Sequence, residues 1–370
     1  MIPYKLSLGC TRASIAPMAT LRETLEMKFA IVLDDAFTRH QTPQGHPERP
    51  DRIRSIASSL RNWDRFSELQ VVEPWPAQED WLKAVHSQDH LERIRATAGR
   101  PHSQLDPDTH AGPESWQTAL LAAGSTVRLL EMVLKGEAES GFAVVRPPGH
   151  HAESLRIMGF CLFNNIAVAA QWAIQHQGLE RVAVVDFDVH HGNGTQQIFE
   201  GRPDVLYLST HQHPLYPGTG MWEEQGLGKG KGATVNFPIG PEKGNGFYLS
   251  LFDEFAIPIL ARFHPQAILV SAGYDAHRDD PLANMNLDEA GFGELAARLN
   301  RLARETCQGR ILYVLEGGYN LKALSASLRR TIEVSLEESQ PTMKGDRSDD
   351  YQSYRRQARQ ALLGNWGPWE

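Results

Sequence analysis

Asp186, Asp188 and His190 occupy alternate positions directly after an apolar run at 181–185. Extended backbone turns alternate side chains the same way, so all three can face one point just past a strand end. A second apolar run, 267–271, leads into Ala272-Gly-Tyr-Asp275. Asp188 and His190 with Asp275 then supply two carboxylates and one imidazole. Such a set leaves a coordination position open to water, the pattern of a catalytic rather than a structural zinc. Fe(II) or Mn(II) would accept the same oxygen and nitrogen donors. His150 and His151 stand side by side after Arg146-Pro-Pro-Gly149. Hydrolysis at a metal needs one group to take a proton from water and one to give a proton to the leaving amine, and two imidazoles suit that division. Asp186 and Asn193 are the nearest partners to fix their roles. Tyr319, ending the turn Glu316-Gly-Gly-Tyr319, adds a phenol donor for the oxyanion of a tetrahedral intermediate.

These residues need a scaffold that brings several chain segments to one edge. Apolar runs of strand length recur at 29–33, 141–145, 181–185, 205–209, 267–271 and 311–315, between segments of helical spacing at 113–135, 164–176, 247–263, 287–306 and 321–336. The runs are continuous rather than alternating, which means burial on both faces, as in a parallel sheet covered by helices. An α/β fold is expected, a single domain with a central, mostly parallel sheet. In such a sheet ligands bind beyond the carboxyl ends of the strands, where the polar residues cluster. No linker rich in Pro, Gly or Ser divides the chain. The expected boundaries are an N-terminal extension at 1–26, a catalytic domain at 27–337 and a tail at 338–370. The tail ends in Leu362, Leu363, Trp366 and Trp369, which suit docking on the body or on a second subunit.

Composition excludes several alternatives. With 41% hydrophobic and 22% charged residues in 370, the chain can bury a large core and is not dominated by disorder. A net charge of −8 opposes direct binding to a nucleic-acid backbone. The three cysteines, Cys10, Cys161 and Cys307, are scattered and odd in number, so neither a disulfide framework nor a CxxC metal site is available. No run approaches the ~18 apolar residues of a membrane span. A reducing, cytoplasmic setting is expected, with residues 1–26 read either as an organelle leader or as an upstream start before Met27.

Arg146-Pro-Pro-Gly-His-His151, Gly159-Phe-Cys-Leu-Phe-Asn-Asn165, Asp186-Phe-Asp-Val-His-His-Gly-Asn-Gly-Thr195, Pro217-Gly-Thr-Gly220, Ser271-Ala-Gly-Tyr-Asp275 and Glu316-Gly-Gly-Tyr319 occur in one order. In these motifs the chain resembles the zinc-dependent histone deacetylase superfamily, over roughly 29–336. Asn193, where class I members carry Asp, is similar to the class II and bacterial branch of histone deacetylase-like amidohydrolases. The resemblance implies an arginase-like fold and one Zn2+ held by Asp188, His190 and Asp275. Proton transfer falls to His150 and His151, and Tyr319 polarises the acyl carbonyl. It further implies that Asp186 contacts His150, that Asn193 orients His151, and that K+ binds at Asp186, Asp188 and Ser209. An Asn at 193 lacks the charge of Asp, so His151 is expected to be less basic than in class I. Gly159, Phe160 and Tyr216 would line an acyl-lysine tunnel. Tyr216 replaces the more usual Phe and adds a hydroxyl.

Substrate class is the finer question. Leu282 stands where a polyamine-selective relative has Glu, which favours acyl-lysine in proteins or peptides over acetylated polyamines. Asp279 and Asp280 keep the polyamine alternative open, and Asp106 and Asp108 are placed to bind substrate amides at the rim. A non-catalytic acyl-lysine reader is the other alternative, opposed by Tyr319. Arginase-like ureohydrolases need a two-metal cluster with more carboxylates than these segments supply.

Other histidines read as structural. His86 and His90 have i,i+4 spacing but suggest a solvated helix face. His211 and His213 are expected at the rim or in solvent. Arg52 is expected near an internal acetate pocket or in an ion pair. Cys161 reads as a small buried wall residue. Gly226-Leu-Gly-Lys-Gly-Lys-Gly232 lacks the Gly-Lys-Ser/Thr ending of a phosphate loop and reads as the approach to a strand.

Overall fold

The computed structural model describes residues 29–368. The expected extension at 1–26 and Trp369 therefore lie outside the described residues. The strands are β1 (Phe29–Leu33), β2 (Leu69–Val71), β3 (Ser103–Gln104), β4 (His110–Ala111), β5 (Ser140–Val144), β6 (Val182–Asp186), β7 (Val205–Gln212), β8 (Thr234–Ile239), β9 (Ala267–Ala272) and β10 (Ile311–Leu315). Eight of them form one sheet in the order β2-β1-β5-β10-β9-β6-β7-β8, and every neighbouring pair is parallel. β3 and β4 pair separately as an antiparallel ladder. All residues of β6, β9 and β10 are buried. Since successive side chains point to opposite faces, this means both faces are covered, as the continuous apolar runs predict.

The helices are α1 (Asp51–Arg61), α2 (Glu79–Lys83), α3 (Gln88–Arg95), α4 (Ser115–Lys135), α5 (Asn165–Gln177), α6 (Asn193–Phe199), α7 (Asn245–Leu251), α8 (Ile257–Phe263), α9 (Glu289–Cys307), α10 (Leu321–Leu336) and α11 (Asp349–Trp366). α4 packs on α5, while α1 and α9 pack on α10. Among the described residues no helix is long and apolar enough to cross a membrane. Side-chain caps define several starts. Asn164 accepts from Ala167 N at α5, Asp288 from Gly291 N at α9, and Asn320 from Lys322 N and Ala323 N at α10.

The segment 247–263, read as one helix, is interrupted by a π turn at Phe252–Ala256. The Ile257 N–H reaches five residues back to the Phe252 carbonyl, and the following Pro258 has no N–H to continue the regular ladder. β8 is a strand that the apolar pattern does not reveal. It holds Thr234, Asn236 and Pro238, and its place at the sheet edge tolerates a residue with no N–H. Glycine-rich 226–232 contains a short 3-10 turn leading to β8, as expected of an approach to a strand. The tail docks on the body: Tyr351, Ala358 and Leu362 of α11 are buried, and Trp366 Nε1 donates to the Gly232 carbonyl at 2.9 Å.

Strand register sets the functional edge. Asp186 at the end of β6 is level with Ser209 on β7 and Ser271 on β9, and Leu315 at the end of β10 is level with Ala272. The segments that follow β5, β6, β9 and β10 therefore leave the sheet at one height.

Candidate active site

Beyond β6 the chain bends so that Asp188 and His190 turn back toward Asp275, which follows β9. One ligand atom from each of these three buried residues lies within 4.8 Å of the others. His190 Nδ1 is 3.1 Å from Asp188 Oδ1 and 3.1 Å from Asp275 Oδ2. Two donors each about 2.0–2.1 Å from a shared tetrahedral ion stand roughly 3.3 Å apart, so this spacing fits zinc. Backbone amides hold the carboxylates in place: Gly317 N donates to Asp188 Oδ2 at 2.7 Å and Val189 N to Asp275 Oδ1 at 2.9 Å. A Cβ on Gly317 would stand 2.1 Å from Asp275 Oδ2, and one on Gly273 1.9 Å from Asp188 Oδ2. Only glycine leaves the ligands their room. The donor set and its backbone cradle thus fit a divalent ion.

His150 and His151 follow β5, with ring centroids 4.0 Å apart. Glu316, after β10, fixes the turn that carries them by accepting from Gly149 N at 2.7 Å and His150 N at 3.1 Å. Each histidine then meets a different partner. His150 Nδ1 is 3.0 Å from Asp186 Oδ2, whereas His151 Nδ1 is 2.8 Å from Asn193 Oδ1. Burial by itself would lower the pKa of His150, but Asp186, Asp188 and Glu316 outweigh it and raise it to about 10. Burial holds His151 well below the usual histidine value, and the neighbouring His150 and His190 push the same way. The pair is therefore split in basicity, His150 raised and His151 lowered.

A cavity of about 240 Å³ opens onto these groups, lined by residues that include Gly159, Phe160, Tyr216, Leu282, Asp108, His151 and Tyr319. Phe160 takes φ +66° and Gly159 φ +61°. The pair is pinned by Gly159 N to Asp108 Oδ1 at 3.2 Å and Phe160 N to Thr109 Oγ1 at 3.0 Å. The Tyr319 ring stands edge-on to Phe160 at 6.0 Å, and its phenol is held well above the usual tyrosine value by burial, with Asp275 adding to the effect. Asp280 accepts from Tyr319 N at 2.7 Å, Asn320 N at 3.2 Å and Leu282 N at 3.0 Å, tying the phenol turn to the opposite wall.

Several expectations need correction. Of the two acids expected at the rim, Asp108 lines the cavity itself, where its Oδ1 accepts from the Gly159 amide, while Asp106 is not among the lining residues. Asp280 turns its carboxylate to three backbone amides and so is not a free acid at the mouth. His86 and His90 are buried and stacked at 4.3 Å, not solvated, since Nε2 of His86 accepts from Asn164 N and Nε2 of His90 bonds the Leu162 carbonyl. His211 is also buried, held by Ser209 Oγ and the Gly220 carbonyl. Arg52 forms the expected ion pair, buried against Glu48, and also bonds the carbonyls of Glu316 and Gly318, with its guanidinium 5.1 Å from the Tyr319 ring centroid. Cys161 is buried and its thiol pushed up by burial, which suits a wall residue rather than a nucleophile. Glu316 was legible only as part of a motif. Tyr207, whose hydroxyl donates to Asp186 Oδ2 at 3.1 Å, carried no signal because it sits inside an apolar run.

The chain is similar to several known proteins. The histone deacetylase domain matches residues 46–335. A probable deacetylase of Archaeoglobus fulgidus is 40% identical over 298 residues, 80% of this chain and 82% of that protein. Histone deacetylase 14, chloroplastic, of Arabidopsis thaliana is 44% identical over 313 residues, 80% of this chain and 74% of that protein. The histone deacetylase-like amidohydrolase of Pseudomonas aeruginosa is 40% identical over 277 residues, 75% of this chain and 73% of that protein. The crystal structure of the HDA15 HD domain superposes with a TM-score of 0.85 at 37% identity, covering 92% of this chain and 95% of the other. The fold is thus the arginase and deacetylase fold, and the chain belongs to the histone deacetylase family of amide hydrolases.

Proposed function

We propose that this chain is a zinc-dependent hydrolase that removes acetyl, or a related short acyl group, from the side-chain amine of lysine in proteins or peptides. The observation that carries the reading is the meeting, at one cavity, of a buried two-carboxylate, one-imidazole ligand set with a carboxylate-paired imidazole, an amide-paired imidazole and a phenol. Asp188, His190 and Asp275 would hold the Zn2+, which when bound would supply Lewis-acid chemistry for the acyl carbonyl and for the attacking water. His151, neutral and bonded through Nδ1 to Asn193, keeps its other ring nitrogen free to take the proton from the attacking water. As the new C–O bond forms and the C–N bond breaks, that proton is delivered to the departing amine nitrogen. His150, charged beside Asp186, stabilises the negative charge that develops and can restore a proton to the pair. Tyr319 keeps its proton and donates a hydrogen bond to the carbonyl oxygen as it becomes an oxyanion. K+ is proposed beside Asp186, Asp188 and Ser209, where buried acids at the strand ends would gain from a monovalent cation.

Phe160, Tyr216, Leu215 and Leu282 give the cavity an apolar wall that suits the four-methylene stem of lysine. One observation favours a second reading, acetylpolyamine hydrolysis: Asp108 also lines the cavity and could meet a second ammonium. The two are separated by kcat/KM of the zinc-loaded protein for an acetyl-lysine peptide against acetylated putrescine and spermidine. The peptide is expected to be preferred. A preference of about 100-fold, or about 2.7 kcal/mol, for the polyamines would overturn that ranking. Binding of the peptide without turnover would instead make the protein a reader.

A further inference from the structure

The Asn193 side chain lies between His151 and Glu153. Its Oδ1 is 2.8 Å from His151 Nδ1, and its Nδ2 donates to Glu153 Oε1 at 2.8 Å, with Met158 Sδ at 3.4 Å. The two ends of a primary amide are nearly equal in size and opposite in hydrogen-bonding sense. Rotated by half a turn, Asn193 would present an N–H donor to His151 Nδ1, which would then need a lone pair there and a proton on Nε2. A base needs the reverse, with Nδ1 protonated and Nε2 free. Nothing in the amide itself selects between the two.

We propose that Glu153 is the positioning residue that makes this choice, fixing the tautomer of His151 through the orientation of Asn193. A carboxylate only accepts, so it takes the amide N–H, and the rotated amide would set two oxygens 2.8 Å apart at the same contact. Glu153 is itself held in a partly buried turn. Its N–H donates to the Arg156 carbonyl at 3.0 Å, and its own carbonyl bonds His86 Nδ1 at 2.9 Å. The buried His86 thus has a place in the arrangement, anchoring the backbone of the residue that orients Asn193. A carboxylate at 193 would need no such arbiter, because both its oxygens accept. Beside Glu153, however, it would face a like charge. The pair Glu153 and Asn193 is therefore matched, and changing either member by itself breaks the match.

The inference rests on the reading of His151 as the base, and the test separates the two. Zinc-loaded wild type, Glu153→Gln, Asn193→Asp and the double variant are compared by kcat and KM on an acetyl-lysine peptide. The tautomer of His151 is read from its imidazole nitrogen NMR shifts, assigned by their loss in His151→Gln. Glu153→Gln is expected to lower kcat about tenfold or more, with KM and zinc content little changed, and to populate the Nε2–H tautomer. Asn193→Asp is expected to impair turnover too. The double variant is expected to recover both turnover and the Nδ1–H signature, since the amide introduced at 153 donates where the carboxylate introduced at 193 only accepts. Retention of a pure Nδ1–H tautomer in Glu153→Gln, or a double variant no better than the worse single one, would overturn the proposal. A shifted tautomer with unchanged kcat would leave the positioning role standing and remove His151 from the role of base.

Discussion

His150 and His151 are adjacent in the chain yet their basicities are shifted in opposite directions: carboxylates, Asp186 at Nδ1 among them, raise His150, whereas burial and the neighbouring His150 and His190 lower His151, whose Nδ1 faces only an amide oxygen. At this scale the central prediction concerns Tyr319. Replacing it by Phe removes the phenol donor and keeps the ring, so kcat is expected to fall about 10²–10³-fold while KM and zinc content hold, measured by steady-state kinetics and metal analysis. An unchanged kcat would remove Tyr319 from oxyanion stabilisation. The ligand set Asp188, His190 and Asp275 was legible because the period of extended backbone and the end of an apolar run fix both direction and place. Asp106 and Asp108 were not separable in this way. They stand two positions apart in one short segment, and the bond from the Gly159 amide to Asp108 joins residues about fifty positions apart, which no local pattern shows. Tyr207 was hidden for another reason, since a phenol within a run of Val and Leu has the pattern of core.

At the scale of elements, the turns after β9 and β10 are built around glycine because the carboxylates occupy the space that a side chain would need. Gly317→Ala would press a methyl group on both Asp188 and Asp275. The expected outcome is zinc content well below one per chain with the far-ultraviolet spectrum of the wild type, measured by metal analysis and circular dichroism. Full zinc content would show that the cradle is looser than described. Asp280→Ala strips three amides of their acceptor, freeing the Tyr319 turn and the Leu282 wall together. It is expected to lower kcat and raise KM in the same variant, with a stability loss of about 1–3 kcal/mol by denaturant titration. Strands rich in Val, Ile and Leu were legible from the sequence to within a residue at their ends, except β7, which continues three residues past its apolar run through the polar Thr210, His211 and Gln212. β8 was not, because an edge strand with Thr, Asn and Pro lacks the apolar continuity of a central one, and β2 is too short to show a pattern.

For the whole molecule, the segment after β1 is tied to the middle of the sheet by a buried charge cluster. Glu48 pairs with Arg146 through both carboxylate oxygens and also meets Arg52 and His40. Burial pushes the Glu48 carboxyl up, but Arg146 with His40 and Arg52 overcomes this and lowers it to about 2. His40, buried and beside Arg146, is lowered to about 3. Both folded values lie below those of the unfolded chain, so folding binds fewer protons and acid destabilises it. The loss from His40 begins as pH falls through about 6.5 and continues toward 3, and that from Glu48 runs from about 4.5 toward 2. The melting temperature is therefore expected to fall steadily below about pH 6.5, and a flat profile from pH 7 to 4 would contradict the assignment. Glu48→Gln, which leaves Arg146 buried without its counter-charge, is expected to cost about 3–5 kcal/mol by denaturant titration. The sequence showed Arg146 only within a motif, and the cluster joins residues about a hundred positions apart, a distance that no local pattern spans. The central proposal is that a metal held at the strand ends carries the hydrolase activity. Turnover of an acetyl-lysine peptide is the direct measurement, taken on the purified protein as loaded with Zn2+, after chelation, and after return of one equivalent of Zn2+. Activity should be present, be lost and then be restored. Activity that survives complete removal of the metal, or none from the fully loaded protein, would contradict it.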